Sequence, residues 1–90
     1  MNKATTQYDR TMLTLEIYNK MYSKGLALGL EKLQNIAYNN LQQAIKFNRN
    51  LDPDRVLDCI KGYCDRRTSY CLKDEKERNA MRSLLQEFKK

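Results

Sequence analysis

The sequence predicts an all-α protein, an antiparallel four-helix bundle, and three observations carry that prediction. Three Gly and one Pro are the only breakers in 90 residues, too few to supply a set of β-turns. Apolar side chains recur at steps of three and four, and strand-type alternation is absent. The run Asp52-Pro53-Asp54 is a strong helix start in the middle of the chain. A length of 90 residues makes one domain, spanning 1–90, with a thin core, because a chain this short buries only about 60–65% of its unfolded surface.

The first helix is expected over residues 6–22. Tyr8, Met12, Leu15, Tyr18 and Tyr22 form its apolar stripe, with Leu13, Ile17 and Met21 beside them. Gly25 is placed to end it, since glycine takes the left-handed conformation that closes a helix. A second, long helix follows over residues 26–47. Its apolar positions are Leu26, Leu30, Leu33, Ala37, Leu41, Ala44 and Ile45, and its other face is polar but nearly uncharged. Gly29 within it permits a close helix crossing, or else the helix starts after it. Residues 48–51 are a short connection.

Asp52 then caps the third helix by accepting from its free N–H groups. Pro53 suits the first helical position, where no N–H partner is needed. Val56, Leu57, Ile60, Tyr63 and Cys64 point inward, and a tight link runs from Thr68 to Leu72. The fourth helix begins near Lys73, with Asp74, Glu75 and Glu77 in its first turn. Met81, Leu84, Leu85 and Phe88 form its buried face, and Lys89-Lys90 close it with the charge its dipole favours. Short loops between amphipathic helices make sequential neighbours antiparallel.

Composition removes whole classes of chemistry. There is no His, so the Cys–His and Ser–His pairs that activate nucleophiles do not exist in this chain. Zinc sites of two Cys and two His, or of four Cys, need ligands it lacks. Cys59, Cys64 and Cys71 are an odd set, so reduced thiols acting as small apolar side chains are expected rather than a disulfide framework. Gly25, Gly29 and Gly62 fit no nucleotide-binding loop. No enzyme activity, cofactor or metal is expected.

The net charge is +6, which suits an anionic partner. Residues 1–50 carry seven basic and three acidic side chains, and residues 51–90 carry ten and eight, so the charge is not blocky. Nucleic acid is disfavoured, because the third and fourth helices open on acids that repel phosphate. The opening Met1 to Gln7 is polar and lacks the apolar centre of a signal peptide. No run reaches the roughly 18 apolar residues of a membrane span. The chain is expected to work in the cytoplasm as a monomer. Arg66, Arg67 and Tyr70 stand together before the last helix, and Arg and Tyr are the usual anchors of a protein contact.

From Leu51-Asp52-Pro53 to Lys90 the chain resembles the second half of the enterocin A-type immunity proteins, partners of pediocin-like (class IIa) bacteriocins. The likeness lies in the capped Leu-Asp-Pro start and the helix with Val56, Leu57, Ile60 and Tyr63. It continues through the turn with Tyr70 and Leu72, the acidic start at Asp74-Glu75, and the final Leu84-Leu85 helix. Upstream, Leu30-Glu31-Lys32-Leu33-Gln34 with Tyr38 and Leu41 is similar to the family's long second helix. The resemblance implies a four-helix bundle in the producer's cytosol, near the membrane but not spanning it. It would engage a membrane sugar-transporter receptor that has bacteriocin bound, and so block leakage. In the family the C-terminal half sets which bacteriocin is recognised. Here that half includes the partner-binding candidates Arg66, Arg67, Tyr70, Lys89 and Lys90. From a different class, a small helical regulator or secretion chaperone that sequesters a partner helix also fits, given an exposed apolar groove or a dimer interface.

Overall fold

A computed structural model describes residues 6–47 and 51–88, and it is the expected four-helix bundle. The helices are α1 Gln7–Leu28, α2 Glu31–Lys46, α3 Pro53–Cys64 and α4 Glu75–Phe88. No strand occurs among the described residues. Helices α1 and α2 make one antiparallel hairpin, and α3 and α4 the other. The connection expected at residues 48–51 falls, except for Leu51, outside the described residues, as do Lys89 and Lys90.

The two glycines of the first hairpin exchange the roles the sequence suggested. Gly29, not Gly25, ends α1, with φ 69° in the left-handed region. The Leu30 N–H then donates to the Gly25 carbonyl at 2.8 Å, and the Gly29 N–H to that of Leu26 at 3.3 Å. These two bonds satisfy carbonyls that the helix end would leave open. Gly25 lies buried inside α1, where α2 crosses it. A methyl group there would sit 2.9 Å from the Leu30 carbonyl oxygen and 3.0 Å from the Gln34 nitrogen. Local propensity offered two plausible stops four residues apart. The close crossing selected the second, so α1 is longer and α2 shorter than expected.

The inward face of α1 is also not the one expected. Thr14, Ile17, Met21 and Gly25 are its buried residues, while Tyr8, Met12 and Tyr22 are exposed. Thr14 tolerates full burial because its hydroxyl donates to the Arg10 carbonyl at 2.7 Å. Turning the tyrosines outward keeps their hydroxyls wet. Ile17 and Met21 meet Leu33 and Ala37 of α2, Val56 and Ile60 of α3, and Ala80, Met81 and Leu84 of α4 in one core. Leu72, from the α3–α4 connection, joins them. Leu26 and Ile45, expected inside, are 57% and 65% exposed.

Capping residues fix where each helix starts. The Thr6 hydroxyl accepts from the Asp9 N–H, and Asp52 accepts from the Asp54 N–H, each at 3.0 Å. Asp52 also pairs with the Arg10 guanidinium, which lies 3.6 Å from Asp54 as well. Gln7 donates to the Leu51 carbonyl at 3.3 Å, so the N-terminal ends of α1 and α3 are tied together. At the other end of the molecule Glu87 of α4 reaches Lys24 at 3.1 Å and Lys20 at 3.6 Å. Helix α4 starts two residues later than Lys73, because Asp74 accepts from the Lys76 N–H at 2.9 Å and thereby stands outside the helix as its cap.

Candidate partner-binding surface

The connection between α3 and α4 carries Arg66, Arg67 and Tyr70, and it is braced at every turn. The Thr68 hydroxyl donates to the Gly62 carbonyl at 2.6 Å, and the Leu72 N–H donates to that of Tyr63 at 2.9 Å. Asp65, just past α3, accepts from the Arg67 backbone N–H at 3.0 Å. Arg67 also donates to both Asp65 carboxylate oxygens at 3.1 Å, and these bonds hold the Asp65 carboxyl below its usual range. Leu72 anchors the connection from inside the core.

Arg78 completes the brace, a role with no signature in the local pattern. Its guanidinium donates to the carbonyls of Leu72 and Lys73, both at 2.8 Å, and the residue is 8% exposed. A charged residue in the second turn of an amphipathic helix reads as solvated. Only the path of the preceding connection, which delivers two carbonyls to the same point, makes it a buried clamp. The Cys64 thiol lies 3.5 Å from the Arg78 carbonyl, and burial pushes this thiol up in pKa.

The structure brings three of the five expected binding residues together. Arg66 and Arg67 are exposed, the latter with 90% of its side chain in solvent. Tyr70 is half exposed. Its ring meets Tyr63 edge to face, with centroids 5.3 Å apart and planes at 87°, and its hydroxyl end lies over Gly62, which leaves no room for a methyl group. Arg67 is already engaged by Asp65, whereas Arg66 makes no hydrogen bond or ion pair among the described residues. The Arg67 guanidinium held by Asp65, the unengaged Arg66 guanidinium and the Tyr70 edge share this one braced connection, a set suited to a carboxylate-bearing protein surface. Lys89 and Lys90 lie outside the described residues. Phe88, the last described residue, is a helix length of about 20 Å from the start of α4.

A second feature is a cleft that the sequence did not reveal. No Cα of α2 comes within 8 Å of one in α3, and the gap holds a half-open cleft of about 170 Å³. Met21, Val56 and Ile60 line its apolar part, with Asn40, Gln43, Arg55 and Cys59 around them. Tyr18 and Tyr63 face it too. Burial raises the pKa of both phenols, an effect the Asn40 amide partly offsets at Tyr63. A space of this size accommodates one large side chain, not a drug-sized substrate.

All three cysteines are free: Cys64 and Cys71 are partly buried, and Cys59 is exposed at the cleft. No group of three or more His, Cys, Asp or Glu side chains with metal-holding geometry occurs among the described residues. No described helix is long and apolar enough to cross a membrane. Comparison with known proteins found no matching family model, no matching curated protein and no matching solved structure.

Proposed function

We propose that this chain is a non-catalytic binding protein that gives immunity to a pediocin-like bacteriocin. It does so by engaging the bacteriocin-bound sugar-transporter receptor from the cytosolic side of the membrane. The braced α3–α4 connection is the observation that supports this reading. Binding loops lose affinity when they must be ordered on contact. Here Asp65, Thr68 and Arg78 have already fixed the backbone that carries Arg66 and Tyr70. The connection lies within the stretch that resembles the specificity-setting half of the immunity proteins.

The test is expression of the chain in a bacterium sensitive to pediocin-like peptides, followed by a killing assay with a panel of them. Protection against at least one peptide is expected. Replacing Arg66 and Tyr70 with Ala should abolish it, while far-UV circular dichroism stays that of the parent. Unchanged killing across the panel removes the immunity role.

The cleft between α2 and α3 favours a second reading, a helical regulator or secretion chaperone that takes a partner's apolar side chain there. A Val56→Trp change fills the cleft. Loss of capture of a soluble partner on that change, with the Arg66 and Tyr70 variants still competent, selects this reading over immunity.

A further inference from the structure

Helix α1 has two apolar stripes, and the core takes one of them. Opposite Thr14, Ile17 and Met21 run Tyr8, Met12, Leu15, Tyr22 and Leu26, at helical steps of four, three, seven and four. Tyr8 is 72% exposed and Leu26 57%. On α2, Gln34 faces α1 at Gly25, and Asn40 and Gln43 turn into the cleft. Helical spacing then sets Tyr38, Leu41 and Ile45 on the opposite flank, beside the outer stripe of α1. Tyr38 is 58% exposed. The two helices thus share one continuous apolar and aromatic face, turned away from α3 and α4.

This face carries almost no charge. Residues 33–45 contain no Asp, Glu, Lys or Arg, in a chain that is 31% charged. On α1, Asp9, Glu16, Lys20 and Lys24 all lie off the outer stripe. From the exposures, the large side chains of the face present on the order of 800 Å², more than the few hundred of an ordinary monomer patch and close to one partner's share of a standard interface.

We propose that the α1–α2 face is a self-association surface, on which two copies of this chain pack in a twofold homodimer. The chemistry of the face selects that occupant. Two molecules of charge +6 approach most easily where neither presents a cation. An anionic lipid or nucleic acid finds no cation there to bind. The polar groups within and beside it are phenols, the amides of Asn19 and Gln42 and, at the end near Leu26, the exposed Glu31 carboxylate; phenols and amides both donate and accept, and so pair with copies of themselves across a twofold axis. The cleft and the α3–α4 connection stay uncovered, so each dimer displays them twice.

Analytical ultracentrifugation of the full chain under reductant, at up to about 100 μM, tests this, since interfaces of this area bind in the micromolar range or tighter. The expected mass is twice 10.7 kDa, and added salt should favour the dimer by screening the like charges of the two copies. Tyr38→Glu and Ile45→Lys, both at exposed positions, should each halve the mass while circular dichroism stays unchanged. A monomer at every concentration overturns the proposal, as does a dimer that survives both substitutions. A chain that stays monomeric but floats with zwitterionic lipid vesicles assigns the face to lipid and overturns it too.

Discussion

Replacing Gly25 with Ala tests the reasoning about the first hairpin through the sign of the result. In an open helix interior the change stabilises by about 1 kcal/mol, because Gly loses more backbone entropy than Ala. Here the new methyl lies 2.9 Å from the Leu30 carbonyl oxygen and 3.0 Å from the Gln34 nitrogen. Both are backbone atoms and have no rotamer to change, so α2 must move off α1. Overpacking of this kind costs about 1–3 kcal/mol. The net expectation is a loss of about 1 kcal/mol, which for a domain of this size lowers Tm by about 4–8 °C. Gly29 is the control. No atom lies within 4 Å of a methyl there, but φ is +69°, so Ala costs about 1–2 kcal/mol in backbone strain. Asn, which tolerates that conformation, costs less than Ala at 29 and more than Ala at 25, where its bulk adds to the clash. Thermal melts of the four variants decide the matter. A higher Tm for Gly25→Ala, or Asn tolerated better at 25 than at 29, refutes the assignment of the two glycines.

Three further outcomes follow from the packing and the charges. Arg78→Met strands the buried carbonyl of Leu72, frees the partly buried one of Lys73, and should cost about 1–3 kcal/mol in urea unfolding. Amide exchange should also speed up across residues 68–74, and unchanged exchange there contradicts the clamp. The Glu87 carboxyl is held below its ordinary range, chiefly by its bond from Lys24. A depressed carboxylate stabilises the fold above its unfolded pKa, and that stability is lost as pH falls through the folded value. Glu87→Gln should therefore lower stability by under about 1 kcal/mol at neutral pH, as expected for an exposed pair. The gap to the parent should close in acid; a gap that persists there contradicts the ion pair. Cys59 is exposed, whereas Cys64 is partly buried with its thiol raised in pKa by burial. Mass spectrometry of partly alkylated protein should find Cys59 modified before Cys64, since the thiolate is the reacting form.

The candidate site was half legible in advance. Arg66, Arg67 and Tyr70 are adjacent in the chain, so any tight turn brings them together. Asp65, which locks the turn through the backbone and side chain of Arg67, and Arg78, which anchors it from behind, have no sequence signature, because the main-chain groups they hold are placed by the path of the connection. The cleft was not legible, since it exists where α2 and α3 fail to meet.

Helix content, the number of helices and the start of α3 were set by local sequence. Periodicity, scarce breakers and the Asp52-Pro53 cap act within a few residues and need no distant partner. Tertiary packing decided which glycine ends α1 and which is crossed, because two local solutions of similar energy differ only in how α2 can approach. It also decided which of the two stripes on α1 is buried. Both stripes are apolar, but the one with Thr14, Ile17, Met21 and Gly25 lets three other helices come close, whereas the tyrosine-rich stripe carries hydroxyls that a dry core would leave without water.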